Sequence, residues 1–514
     1  MTNSVNQDDP APANIPAFPA RRWVCWLSLL GAVHVLVFSA AFPFFNNMDE
    51  IPHFDLVVKY AHGHFLQGLE PIGGESSQYM TAFNSPEYVN PAGPGLATPF
   101  WRQTANRQAS VEAVFARAAA GWPAEKRLPS MQNYESTQPP LYYLLAGLWW
   151  RVGQGCGLAG LPLLYWLRFL NAGIVVALIW VGYAAARLIF PTRPFFQIGV
   201  PALVAFMPQQ AFYSVQNDVL SPLCFGLVFI CLALWLWAKV PGSGLGVATG
   251  LALAACYLTK LSNLPLLAVA ALVVLLKTCS RWRAGTLRPA SRALVWLVLC
   301  AGLPVGAWLA WSKYAFGDFT GSALKLRAIT WTLKPFHEWW HHPIFSADGL
   351  WTFVSALLVA FWQGEFRWHG LPLDLPVIDA FYVIPTLCLL IVGAASLWRQ
   401  PNPLNVFQRR MLVLSLGCFA AGVVFLAWMS IIYDFGICIN PSRGFPYFIA
   451  GRLILGALVP FLLVLLQGLD YLLRGAKNHW LRPAALGGLI LFMLVSEIVT
   501  DWPVFASQYN LYHW

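Results

Sequence analysis

Apolar runs close to 20 residues long recur between residues 23 and 500, and no other feature restricts this chain as strongly. A helix rises 1.5 Å per residue, so each run matches the thickness of a bilayer's hydrocarbon core. The reading is an all-α polytopic membrane protein. Composition agrees, with hydrophobic residues at 58% of 514 and charged residues at 11%. Residues 1–20 are polar and rich in Pro and Ala, and Arg21–Arg22 leads into a first run long enough to span. That pattern predicts a retained first helix and not a cleaved signal.

The formal charge of +10 reports topology. Arg187 and Arg193, Lys239, the group from Lys277 to Arg292, Arg399 with Arg409 and Arg410, and Arg474, Lys477 and Arg482 fall in five short loops without an acid. The positive-inside rule makes these loops cytoplasmic. Eleven spans result, at about 23–45, 166–190, 197–216, 219–238, 245–259, 264–278, 292–312, 377–398, 411–431, 450–473 and 481–500, with the N-terminus inside and the C-terminus outside. Two shorter apolar pieces, 137–150 and 350–361, are read as interfacial or re-entrant, because counting either as a span would move several basic loops outside. Residues 54–66 and 110–120 are further interfacial helix candidates within a very long outer loop. The chain thus divides into a cytoplasmic tail (1–22), a transmembrane module (23–312) containing the outer loop 46–164, an outer loop with an interfacial helix (313–376), C-terminal helices (377–500) and an outer tail (501–514).

Several function classes drop out. There is no P-loop and no soluble basic face with aromatic platforms, so neither nucleotide-driven work nor nucleic-acid binding is expected. The absence of an internal repeat weakens a secondary-transporter reading. Ten cysteines are scattered, mostly in apolar runs, with no CxxC pair. Cys156 and Cys438 both fall on the outer side, which leaves a disulfide between them open.

Residues 42–55, FPFFNNMDEIPHFD, close the first span with Asp49, Glu50, His53 and Asp55. On the same outer face lie Asp218 after the span at 197–216, Lys260 after the span at 245–259, Lys325 and Arg327 beyond the span at 292–312, and Arg443 and Arg452 around the start of the span at 450–473. Cations there suit a lipid-linked phosphate, through charge-assisted hydrogen bonds to its oxygens. A carboxylate suits removal of a proton from an attacking hydroxyl. Each residue also has a structural reading. Asp49 or Glu50 marks a helix end, His53 packs at the interface, Asp218 caps the next helix, Lys260 and Arg452 snorkel as anchors, and Lys325 and Arg327 are loop charges.

This ordered set resembles the GT-C superfamily of membrane glycosyltransferases, which includes protein O-mannosyltransferases, the lipid A aminoarabinose transferase and oligosaccharyltransferase catalytic subunits. The matching elements are the acid after the first span, the long first outer loop, the stretch Pro139–Pro140–Leu141–Tyr142–Tyr143, the second acid Asp218, and Gly451–Arg452, similar to a GRY-type element of a bacterial branch. The first half is covered well and the last third loosely. The resemblance implies a polyprenyl-phosphate-linked sugar donor and a periplasmic glycan, lipid or protein acceptor such as pilin. It implies a bacterial inner-membrane enzyme whose active site faces the periplasm. Asp49 would be the general base, with Glu50 and Asp218 beside it. Lys260, Arg327, Arg452 and Lys325 would hold the donor phosphate, and His53, Tyr142 and Arg443 would contact substrate. The second outer loop lacks a DxD motif, so no cofactor is expected with certainty and a divalent metal ion stays open. No soluble domain follows the last span, which favours transfer of one sugar or a short unit. Two rivals remain: a polymerase or ligase of lipid-linked glycans, needing outer Arg and His more than Asp49, and a lipid-linked-sugar flippase, needing polar groups at mid-membrane.

Overall fold

A computed structural model of the chain describes residues 20–45, 49–88, 90, 96–119, 132–285, 288–400, 403–438 and 441–512. The expected N-terminal tail lies outside the described residues as far as residue 19. The first helix, α1 (Ala20–Ala41), is followed by α2 (Glu50–Ala61), α3 (Gly74–Phe83), α4 (Ala105–Ala119) and α5 (Leu141–Gly155). Next come α6 (Gly160–Ile189), α7 (Pro194–Ala205), α8 (Ser221–Trp237), α9 (Ser243–Thr259), α10 (Leu264–Arg283) and α11 (Arg288–Phe316). After α12 (Ser322–Ala328) and α13 (Ala347–Gln363), the chain ends with α14 (Pro376–Ser396), α15 (Val406–Ile432), α16 (Leu458–Leu472) and α17 (Leu481–Phe505). Two short antiparallel ladders pair Thr332–Leu333 with Tyr433–Asp434 and Arg367–Trp368 with Leu371–Pro372.

Nine helical segments among the described residues are long and apolar enough to cross a membrane. At the other two expected spans stand shorter apolar helices, α7 and α9, of 12 and 17 residues. The pieces judged too short to span are the helices α5 and α13, of 15 and 17 residues.

Of the places where helix ends differ from the sequence reading, three build the site. The span expected over 197–216 ends as α7 at Ala205. Pro208 follows, which lacks an N–H and disfavours helical backbone in the residue before it. Residues 209–218 then run as short turns with buried Gln209, Gln210, Ser214, Gln216, Asn217 and Asp218. Irregular backbone of this kind persists at membrane depth only inside protein or along a cavity. Gln209 shows how it is satisfied, donating from Nε2 to the carbonyls of Ala360 and Phe361 at 3.1 and 2.7 Å. The span expected at 450–473 opens as a 3-10 segment, Gly451–Ala457, before α16 begins. Finally, α17 continues past residue 500 to Phe505, so Asp501 lies inside a helix and not in an outer tail.

α16 is the centre of the molecule, with Leu458 to Gly468 all buried. α14 packs against it so closely that a methyl group on Gly468 would overlap the Leu389 carbonyl. Small residues let apolar helices approach in this way, gaining dispersion contacts where no hydrophobic effect operates. All ten cysteines are free, Cys156 and Cys438 included.

Candidate functional site

Asp49 caps α2 from a left-handed backbone conformation, with φ 62° and ψ 10°. Most side chains are strained there, and Asp and Asn are among the few that tolerate it. Its neighbour Glu50 holds that turn in place. The Glu50 carboxylate, buried within the protein, receives Arg168 Nε at 2.9 Å and Nη2 at 2.7 Å, and the backbone N–H groups of Phe45 and Val215 at 2.9 and 3.0 Å. Arg168, fully buried, spends its remaining donors on the carbonyls of Ser39, Phe42 and Pro43. Glu50 is therefore a fastener between α1, α6 and the 206–220 turns, while Asp49 points the other way.

Arg452 is the hub. Its Nη2 donates to Asp49 Oδ2 at 2.5 Å, its Nη1 to Gln216 Oε1 at 3.0 Å and Asp218 Oδ2 at 3.4 Å, and its Nε to Glu365 Oε2 at 3.3 Å. Lys260 Nζ bonds both oxygens of the fully buried Asp218, at 2.7 and 2.6 Å. Asp49, Asp218, Lys260 and Arg452 thus meet in one network. Gly451 makes the reach possible: a methyl group there would overlap the Phe361 nitrogen and the Ala360 carbonyl carbon. Gly451→Ala is expected to push the 3-10 segment off α13, costing about 1–3 kcal/mol. A fall in melting temperature together with weaker ligand binding at Arg452 checks this; an unchanged melt excludes the overlap.

A second group flanks Asp49. Tyr134 donates its hydroxyl to Asp49 Oδ1 at 2.5 Å. Glu135 accepts from Lys325 Nζ at 2.7 Å on both oxygens. His53 is buried, with Nδ1 2.6 Å from the Tyr143 hydroxyl and Nε2 without a partner. Burial pushes the His53 imidazole down to about 4, against the pull of Glu135 and Asp49, so the ring is neutral near pH 7. Burial alone would raise Asp49, but the Arg452 guanidinium, His53 and the Tyr134 hydroxyl outweigh it and hold the carboxyl well below the usual carboxylate range. Glu365 is pushed up by burial, only partly offset by Arg452.

Asp49, His53 and Glu135 bring one ligand atom each within 4.8 Å of one another. Two carboxylates and a neutral imidazole with an unused nitrogen fit a divalent metal ion by donor type. Such an ion would compete with Arg452 and Lys325 for the two carboxylates.

Asp49, Tyr134, Glu135, Lys260, Lys325, Glu365 and Arg452 line part of a cavity of about 1770 Å3. Its walls are one face of α13, including Thr352, Ala356 and Val359, and one face of α14, including Ala380, Val383 and Ile384. The expected site residues fall into two sets. Asp49, Lys260, Lys325 and Arg452 line the cavity, and His53 and Asp218 stand directly behind them. Tyr142 is buried beside the backbone of Gln216. Arg443 is exposed and tied to Asp434 at 2.9 Å through two nitrogens, and Arg327 is exposed. Neither of these arginines lines the cavity. Glu365, Glu135 and Tyr134 were missed. Glu365 follows an apolar helix as Asp49 does, and Glu135 stands four residues before the Pro-Pro pair, so both carried a readable signal.

Comparison with known proteins adds the following. A sequence model of a family described as "Predicted membrane protein (DUF2142)" matches residues 32–437. No curated protein matches the chain. Among solved structures, the archaeal oligosaccharyltransferase AglB from Archaeoglobus fulgidus, in complex with an inhibitory peptide and a dolichol-phosphate, aligns at 12% identity over 95% of this chain and 56% of its own, with TM-score 0.40. The apo form of the Archaeoglobus fulgidus oligosaccharyltransferase aligns with the same identity and coverage at TM-score 0.38. ArnT from Cupriavidus metallidurans, bound to undecaprenyl phosphate, aligns at 13% identity over 88% of this chain and 78% of its own, with TM-score 0.33. The chain spans little more than half the length of the archaeal structures it matches. The family match covers most of the sequence, including Asp49, Asp218, Lys260 and Glu365, and the chain belongs to the DUF2142 family of membrane proteins.

Proposed function

We propose that this protein is a GT-C-type glycosyltransferase that moves a sugar from a polyprenyl-phosphate donor to an acceptor at the membrane face bearing Asp49, in a bacterial inner membrane with that face periplasmic. One observation carries the reading: a carboxylate and two cations converge on a large cavity whose α13 and α14 walls are mostly apolar, with Thr352, Ser355, Gln363 and Asp379 among them. A lipid tail fits the apolar walls, and its phosphate fits Arg452 and Lys260.

The chemistry follows from the geometry. Arg452 has five N–H donors, and its four contacts leave one spare; among the described residues the Lys260 ammonium bonds Asp218 alone. A phosphate drawn to these donors takes over Arg452 in part and loosens its hold on Asp49. The Asp49 carboxylate then becomes more basic when the donor is in place. It accepts the proton of the acceptor hydroxyl as that oxygen bonds to the anomeric carbon. The bond from that carbon to the phosphate oxygen breaks, the sugar inverts, and the lipid phosphate leaves with its charge matched by Arg452 and Lys260. Asp218 has no place on the cavity wall; it orients Lys260 and Arg452. A divalent ion held by Asp49, His53 and Glu135 would supply further charge stabilisation there.

Full-length protein in proteoliposomes, given radiolabelled polyprenyl-phosphate sugar and an envelope extract, should move the label into a new product. Label that only crosses the bilayer would replace this reading with the flippase, and label entering lengthening lipid-linked chains would replace it with the polymerase. Arg452→Lys keeps a charge but loses the planar fork. It should weaken undecaprenyl phosphate binding about 10- to 100-fold, the loss expected for one or two charged hydrogen bonds. Unchanged binding removes Arg452 from the phosphate site.

A further inference from the structure

The cavity that begins at Asp49 has a second polar wall, on α17, which the transfer chemistry does not use. Glu497, Thr500 and Asp501 lie on one face of that helix and all line the cavity. Glu497 is committed: His34 Nε2 lies 2.8 Å from its Oε2, and Tyr213 donates to its Oε1. Thr500 and Asp501 are buried, at 7% and 3% exposure, yet the Thr500 hydroxyl and Asp501 Oδ1 have no hydrogen-bond partner. Gln210 bonds the Asp501 carboxyl.

The Thr500 hydroxyl stands apart from its peers. Thr81, Thr249, Thr259, Thr278 and Thr352 all give their hydroxyl to the carbonyl one turn back in their own helix. That is the default for a helical threonine, because it satisfies the hydroxyl locally. Thr500 forgoes this bond. Leaving a buried polar atom unmatched costs about 1–3 kcal/mol, so two adjacent ones on a cavity wall call for a partner that the chain does not supply.

We infer that Thr500 and Asp501 form a subsite for adjacent hydroxyls of a neutral or amine-bearing sugar ring. The inference rests on the transferase reading above and names the class of sugar it handles. The carboxyl oxygen accepts from one ring hydroxyl, and the threonine hydroxyl exchanges a hydrogen bond with the next. The lining decides the class: Glu497, Thr500 and Asp501 offer no cation on this face of α17 to match a uronic acid or a phosphorylated ring. The anionic part of the donor goes to the Arg452 and Lys260 end, and the sugar lies along the wall towards α17.

The test is binding, in nanodiscs, of undecaprenyl phosphate alone and of its glucose, galactose, mannose, N-acetylglucosamine, 4-aminoarabinose and glucuronic acid conjugates. At least one neutral or amino conjugate should bind wild-type protein about tenfold more tightly than the bare carrier, and the glucuronic acid conjugate should show no such gain. Thr500→Val and Asp501→Leu should each abolish the gain and leave bare-carrier affinity unchanged. Thr500→Val is nearly isosteric, which keeps the test decisive if Asp501→Leu fails to fold. A gain that survives in a folded variant, or no gain for any neutral or amino conjugate, overturns the subsite. Failure of wild-type protein to bind even the bare carrier overturns the transferase reading itself, a different result.

Discussion

Asp49→Asn protein is expected to purify as the wild type does and to transfer sugar about 100- to 10,000-fold more slowly, the usual worth of a positioned general base. The substitution isolates chemistry from folding. Position 49 holds a left-handed backbone, φ 62°, and Asn accepts that conformation with little strain where Ala would not. The amide oxygen still accepts from Arg452, and the amide NH2 donates to the Tyr134 hydroxyl oxygen instead of accepting from it. What it loses is the capacity to accept a proton. Initial rates with saturating donor measure the effect, and wild-type turnover would remove Asp49 from the reaction. Glu365→Gln supplies the contrast: Glu365 is a partly buried carboxyl on the same guanidinium, with its proton affinity raised. If that variant is inert while Asp49→Asn is active, the base is Glu365.

Arg168→Met is expected to cost about 3–5 kcal/mol of stability, because it strands a buried carboxylate and several carbonyls at once. Glu50 is almost wholly buried, and both of its oxygens are shared between Arg168 and a backbone N–H. Removing the guanidinium also ends its stacking over the Phe44 ring, 4.0 Å from the centroid. Thermal unfolding in detergent should show a large fall in midpoint. Glu50→Gln with Arg168→Met should be milder than the sum of the two, since each change removes the charge that the other leaves unpaired. A single-variant melt matching wild type would mean that the pair does not fasten the turn behind Asp49.

The helices were legible because lipid allows an apolar run few other forms. Their ends were less so. Pro208 stood in plain view within residues 203–216, yet hydropathy alone carried the expected span past it, and the turns that present Gln209 to Asp218 were lost. Charge asymmetry among the loops put Asp49, Asp218, Lys260 and Arg452 on one face, and these are the residues that meet. The resemblance ranks Asp49 ahead of Glu50, but the spacing of the two acids gives no physical reason for it. Adjacent residues at a helix start point in quite different directions, and only the left-handed turn at Asp49 decides which carboxylate faces the cavity. Arg443 shared the face with Arg452 but had Asp434 nine residues away to satisfy it. Asp501 escaped notice because the last apolar run, judged by composition, stopped at the residue before it.

The pairing of Asp49 with Arg452 joins positions 403 residues apart. At about 5–20 residues per second, a ribosome needs roughly 20 to 80 seconds to travel that far. Asp218 meets Lys260 early in synthesis, but the acid after the first helix lacks its guanidinium partner until the segment Gly451–Ala457 emerges. Assembly of the reaction centre is therefore among the last events of biogenesis, and a nascent chain stalled before Gly451 carries Asp49 without that partner.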